Sequence, residues 1–191
     1  MTYSTDPVQS LRRLHEHRIW VTGNLLAAAG ALTPEQLRQS FAIGQGSLWK
    51  TLLHLHAAEH VWLETLLGDE QFVVPGDLPG RLPGNQEGEN PMTTLAELEA
   101  RWKELDRRWT AYLAELRPAA LDDTVYRVST SSGFGRRFGT ARVDVLLHVC
   151  THAQYTVAQF VNMLRQVGAK GFPDVMLISL ARLQAAAGQP L

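Results

Sequence analysis

The sequence predicts an all-α protein, an antiparallel four-helix bundle with a small hairpin and an extra C-terminal helix. Three observations favour this class. Four long segments repeat apolar residues at helical spacing, capping residues precede them, and only one short stretch alternates as a strand does. A length of 191 residues with 45% hydrophobic content fits a single domain over residues 1–191.

Capping residues set the expected helix starts. Asp6 followed by Pro7 begins the first helix, and Ser47 begins the second. Thr94 and Glu97 form a capping box before the third helix, whose apolar face is the most regular in the chain. We expect Thr140 to begin the fourth helix. The predicted long helices cover residues 7–29, 48–67, 94–116 and 141–167, with a short helical turn after Thr33.

The segments between and after these helices differ in composition. Residues 68–91 are rich in glycine and proline, and a loop of that length is typical of a lid or a connector; we favour a lid. Residues 124–130 alternate as a strand does, and Gly133 and Gly135 allow a turn back through residues 136–138. The tail, 173–191, is expected to contain the extra helix.

Charge and composition exclude several functions. The net charge is -1, so the chain lacks the basic surplus expected of a protein that binds nucleic acid or an anionic membrane. No apolar run is long enough to cross a bilayer, and residues 1–6 do not resemble a signal peptide. The single cysteine, Cys150, falls on the packing side of its helix and is expected to be buried and inert. Because the sequence shows neither a membrane-spanning run nor the pattern of a signal peptide, we expect a cytoplasmic protein.

Histidines are the main functional signal. His148 and His152 lie one turn apart on the fourth predicted helix, and Tyr155, Thr156 and Gln159 continue the same stripe as a candidate pocket wall. The alternative is that this polar stripe is ordinary solvated surface. However, the most polar residues of that helix occupy another sector, which places the stripe between water and the core.

The second predicted helix offers a third imidazole. His54 and His56 point about 200° apart, so they cannot both face one metal ion. Small neighbours surround His54, whereas His56 flanks a leucine row, and we therefore choose His54. A histidine pair at i and i+4 with a third from a facing helix is typical of a first-row metal site.

Glu59 is the candidate catalytic acid or base. The alternative is that its carboxylate is paired with an arginine. His15 interrupts the apolar stripe of the first helix, which would suit an interior position. Because arginines surround His15 and His17 in the sequence, at positions 12, 13 and 18, we expect both histidines on the surface and assign them no role.

These residues also carry a family resemblance. Residues 47–62, SLWKTLLHLHAAEHVW, resemble the second helix of the DinB/YfiT-like superfamily, and residues 147–159, LHVCTHAQYTVAQ, resemble its histidine-rich last helix. The similarity covers most of residues 6–170. It implies a four-helix bundle with a three-histidine site for nickel or zinc, to which His54 and His152 correspond. Thr156 stands where the family has its third histidine, and His148 is the residue whose geometry can replace it.

The resemblance implies a divalent-metal-dependent enzyme, a thiol S-transferase or a hydrolase, acting on a small molecule with or without a thiol cosubstrate. The alternative is a noncatalytic small-ligand-binding or stress-response protein whose metal site has degenerated, for which Thr156 is the main argument. Either function is compatible with a homodimer formed through an apolar helix face.

Overall fold

The computed structural model of the chain describes residues 6–130 and 133–188 and is mostly helical. Residues 1–5, on which the expectation about a signal peptide chiefly depends, and the last three residues of the predicted tail lie outside the described residues. The elements, in chain order, are α1 (Pro7–Gly30), α2 (Pro34–Arg38), α3 (Leu48–Leu67), α4 (Leu95–Glu115), a 3-10 turn (Pro118–Ala120), β1 (Thr124–Val128), β2 (Arg137–Ala141), α5 (Arg142–Gln166) and α6 (Leu177–Ala186).

The predicted helix starts are confirmed at three of four positions. The side chains of Asp6 and Ser47 accept backbone N–H groups at the starts of α1 and α3, and Thr94 forms the expected capping box with Glu97. The fourth start was wrong. Thr140 is paired with Val125 inside β2, so α5 begins at Arg142, one residue later than predicted, and has no side-chain cap.

The four long helices contact one another in a closed ring. α1 packs against α4 and α5, and α3 packs against the same two helices, with α2 beside α3. Burial of large apolar side chains stabilises this packing. Removing one such side chain from water contributes roughly 1.5–3 kcal/mol to the free energy of folding. The largest completely buried side chains come from all four helices and include Leu25, Leu52, Trp102, Trp109 and Phe160.

The hairpin and the C-terminal helix are present as predicted. β1 and β2 pair in antiparallel register, with Tyr126 opposite Gly139. The segment before α6 lies against α1, where Asn24 donates to the Asp174 carbonyl at 2.8 Å and His17 hydrogen-bonds the Val175 carbonyl at 3.0 Å. His17 is thus buried by this segment, and the expectation of a surface position was wrong.

His15 was also predicted on the surface, and it is completely buried. Its Nε2 atom lies 3.2 Å from the Leu146 carbonyl of α5, and its ring packs against Trp109 of α4 with centroids 4.9 Å apart. α1 therefore turns this histidine toward the helical core. None of the helices described is both long and apolar enough to span a membrane.

Candidate metal centre

Two of the three predicted ligands face each other between α3 and α5. The Nε2 atoms of His54 and His152 are 3.2 Å apart, and the ring centroids are separated by 5.1 Å with an edge-to-face arrangement. Two nitrogens bound to one tetrahedral metal ion at about 2.0–2.1 Å are about 3.3 Å apart. The spacing of this pair therefore fits chelation of a single ion.

The protonation of His54 follows from its other ring nitrogen. Nδ1 lies 2.9 Å from the backbone carbonyl oxygen of Pro83. A carbonyl can only accept a hydrogen bond, so Nδ1 carries the proton and Nε2 keeps a lone pair directed toward His152. Carbonyl partners of this kind commonly orient histidines that bind metals.

Burial keeps both imidazoles neutral. Desolvation lowers the pKa of His54 from its usual value. It also lowers the pKa of His152, to about 4, with help from the neighbouring His54 and His148. Neutral imidazole is the form that binds a metal ion, so no proton competes for these nitrogens at neutral pH.

His148 lies beside the pair but outside its contact. Its ring is exposed, 5.7 Å from the His152 ring centroid and 5.4 Å from that of Trp62, against which it packs edge to face. Within the described ranges, no three histidine, cysteine, aspartate or glutamate side chains are grouped closely enough to hold a metal ion. The structure thus brings together two of the three predicted ligands.

The three predicted pocket residues occupy different environments. Tyr155 is 69% exposed, whereas Thr156 is buried at 2% exposure. Gln159 is half-buried and lies against the loop before α3, where a Cβ atom on Gly44 would collide with its Oε1 atom. Thr156 is therefore buried one turn after His152 on α5, and Tyr155, beside it in the sequence, is exposed.

Glu59, the predicted catalytic residue, lies in the helical core. Its carboxylate is ion-paired with Arg18 and accepts a hydrogen bond from Trp102 Nε1 at 3.1 Å. Five residues separate it from His54, which turns the two side chains about 140° apart on α3. Burial raises the pKa of Glu59 to about 7, against the opposing effect of Arg18. The sequence left two roles open for Glu59, a catalytic acid or base and a carboxylate paired with an arginine. The structure contains the arginine pair.

The segment over residues 68–91 reaches the histidine pair. Pro83 supplies the carbonyl bound to His54, and Gly84 packs directly on the His54 backbone. Many internal hydrogen bonds order this loop, among them those of Asp77 and Asn85. From the sequence, Pro83 and Gly84 were noted only as one of three Pro-Gly pairs, which begin at positions 75, 79 and 83, and Asp77 was not singled out. The recurring Pro-Gly pairs were a signal of turns, but they did not indicate which turn meets the helix.

Comparison with known proteins supports the resemblance. A sequence profile described as DinB superfamily matches residues 19–160, which is more than half of the chain and includes both histidines of the pair and His148. None of the curated proteins compared matches the chain.

Proposed function

Because the chain belongs to the DinB superfamily, we propose that it is a divalent-metal-dependent enzyme acting on a small molecule, as a thiol S-transferase or a hydrolase. The observation that carries this proposal is the facing pair of His54 and His152, with Nε2 atoms 3.2 Å apart. We also interpret the closed ring of contacts among the four long helices as the four-helix bundle expected of this superfamily.

In this proposal, His54 and His152 hold zinc or nickel through Nε2. His148 is the proposed third ligand, since it lies one turn from His152 on α5 with ring centroids 5.7 Å apart; its side chain would have to move toward the pair to complete the site. A bound divalent ion supplies Lewis acidity, which makes a thiol or a water molecule a stronger nucleophile.

The protein side chains have separate roles in this proposal. The Pro83 carbonyl holds His54, and Tyr155 and His148 form the exposed border over which a substrate approaches. Thr156 and Gln159, which lie on the same face of α5 as His152, are the proposed wall of the substrate pocket. A catalytic role for Glu59 stays a prediction, and its ion pair with Arg18 means that any Glu59 variant needs a stability measurement beside an activity measurement.

The expected partners are a small-molecule substrate and, for a transferase, a thiol cosubstrate in the cytoplasm. A net charge of -1 supports a function without nucleic acid or membrane. A homodimer is compatible with this proposal.

A second candidate function has one specific observation in its favour. The position of the third family histidine is occupied by Thr156, which is buried at 2% exposure. A hydroxyl is a poor substitute for imidazole as a ligand of zinc or nickel. A noncatalytic small-ligand-binding or stress-response protein does not need a complete metal site, so threonine at this position is compatible with that function.

Metal binding tests the proposal directly. Protein purified without an affinity tag is titrated with zinc and with nickel, and bound metal is measured by elemental analysis and calorimetry. We expect about one ion per chain, and weaker binding in His54→Ala and His152→Ala. His60→Ala is the matched control, because His60 is on α3 and hydrogen-bonds Glu64 instead. Binding that is absent, or equally strong in all variants, contradicts the proposal.

Activity distinguishes the two candidate functions. Thiol conjugation and ester hydrolysis are screened with the metal-loaded protein. Turnover that disappears in His54→Ala but persists in His60→Ala supports the enzyme. Metal binding without any turnover favours the noncatalytic function.

A further inference from the structure

Asp77 organises the turn that reaches His54. One carboxylate oxygen, Oδ2, accepts the Gly84 backbone N–H at 2.6 Å. The other, Oδ1, accepts both the backbone N–H and the side-chain amide of Gln86, at 2.9 and 2.8 Å. Charge-assisted hydrogen bonds to backbone N–H groups are stronger than neutral ones, so this carboxylate fixes the path of residues 84–86.

The turn rests on helix α3 with no space for a side chain. Gly84 has a φ of +85°, in the left-handed region that favours glycine. A Cβ atom there would lie 2.6 Å from the Cα and N atoms of His54 and from the carbonyl oxygen of Leu53. Because these are backbone atoms of a helix interior, they cannot move aside. The turn and the helix are therefore in close contact at the position of the candidate ligand.

Pro83 is the connection between the two. It directly precedes Gly84, and its carbonyl oxygen, 2.9 Å from His54 Nδ1, accepts the hydrogen bond that this nitrogen donates. We propose that Asp77 is a positioning residue, which holds the Pro83 carbonyl against His54 and so fixes this imidazole with its Nε2 lone pair directed at His152.

The proposal has a part that stands alone and a part that rests on the proposed function. The tautomer and orientation of His54 are properties of the metal-free protein. Their effect on affinity for zinc or nickel deepens the proposed function and depends on it. Loss of a group that orients a ligating histidine typically weakens metal binding about 10–100-fold.

Two variants test this arrangement, one at the Asp77 carboxylate and one at the contact between the turn and α3. Asp77→Asn places an amide donor against N–H donors while keeping the shape of the side chain. Gly84→Ala forces a Cβ atom against the His54 backbone. Asp69→Asn is the matched control, because Asp69 also accepts a backbone N–H within the same loop, from Gln71 at 3.0 Å, without contacting His54.

Nuclear magnetic resonance of ¹⁵N-labelled histidine identifies which ring nitrogen of His54 carries the proton. In metal-free protein at neutral pH we expect Nδ1 to carry it in the native chain and in Asp69→Asn. In Asp77→Asn and Gly84→Ala we expect a substantial Nε2–H population, with unchanged helix content by circular dichroism. A purely structural role for Asp77 would change the unfolding temperature and leave the His54 tautomer unchanged.

A native His54 protonated at Nε2, or an unchanged tautomer in both variants, overturns the proposal. If either variant fails to fold, the other decides. Metal titration of the same proteins separates the two levels. If the native chain binds neither zinc nor nickel, the proposed function fails while the tautomer result still stands. If the native chain binds metal and the two variants bind it with unchanged affinity, the proposed function survives and the positioning role for Asp77 fails.

Discussion

Arg18 and Glu59 form an ion pair between α1 and α3 in which each side chain is only 1% exposed. Trp102 donates to the same carboxylate, and the Asp106 carboxylate lies 3.6 Å from Arg18 Nη1. The guanidinium also stacks over the Trp109 ring at 5.2 Å. Both ions have lost their hydration, so each depends on the other for compensation. The pair therefore makes folding sensitive to the loss of either member.

We expect Arg18→Met to lower the free energy of unfolding by about 3–5 kcal/mol, because it leaves the buried Glu59 carboxylate without its partner. Glu59→Gln should cost less, because the Asp106 carboxylate still lies 3.6 Å from Arg18 Nη1. The double variant should lose clearly less than the sum, since no uncompensated member of the pair remains. Urea unfolding measures all four proteins. The exposed Arg107–Glu104 pair is the control, where the coupling should stay within about 1 kcal/mol. Additive losses at Arg18 and Glu59 would contradict this prediction.

Acid should destabilise the fold through His15. Burial, assisted by Arg18, lowers the pKa of His15 from 6.5 to about 3 in the folded state. The unfolded chain therefore binds one more proton between these values, and stability falls as the pH decreases from about 6.5 toward 3. One such proton gives a slope of up to about 1.4 kcal/mol per pH unit.

The His15→Phe variant tests this, because phenylalanine keeps the ring beside Trp109 and cannot bind a proton. The quantity to compare is the difference between native and variant stability from pH 6.5 to 4. Glu59 and Asp106, whose pKa values are raised by burial, contribute a trend of opposite sign to both proteins, and this cancels in the difference. Parallel pH profiles would show that His15 does not contribute.

The Thr156→His variant restores the histidine of the family pattern, and it should show whether the metal site lacks a ligand at this position. If the native site is degenerate, Thr156→His creates zinc or nickel binding, or activity, that the native chain lacks. If His148 already completes the site, the substitution changes neither. Tyr155→His is the matched control, because residue 155 is adjacent but exposed. Calorimetric titration measures the affinities, and thermal unfolding checks that the larger side chain is accommodated at this buried position.

Cys150 should be unreactive in the folded protein. It is buried, and desolvation raises the pKa of its thiol to about 12, so almost no thiolate forms at neutral pH. A thiol reagent should label no cysteine in native conditions and one per chain in urea, because the chain has a single cysteine. Rapid labelling of the folded protein would contradict the buried assignment.

The long helices were predictable because local signals coincide at their ends. The capping box of Thr94 and Glu97, for example, is formed as its spacing indicates. The start of α5 was not predictable in this way, because Thr140 has the residue type of a cap but is recruited into β2 by pairing with Val125. Strand pairing is a tertiary contact, and it overrides a local preference.

The candidate site was only partly predictable. Helical spacing and the family resemblance together selected His54 and His152, which meet. The surface expectation for His15 failed because neighbouring arginines suggested an exposed face, whereas Arg18 itself is buried against Glu59. The contact of Pro83 with His54 joins positions 29 residues apart through an irregular loop, and periodicity carries no information about such a contact.

The ordered turn at Pro83 and Gly84 has a consequence for the route by which molecules reach the histidine pair. Its backbone occupies the space beside His54 on α3, and its hydrogen bonds are already made within the chain. Entry from that side would require breaking them. On α5, the exposed side chains of His148 and Tyr155 lie one turn before His152 and three residues after it. Under the proposed function, a molecule would therefore approach the pair from the α5 side, and a bulky substituent would have to remain on that side.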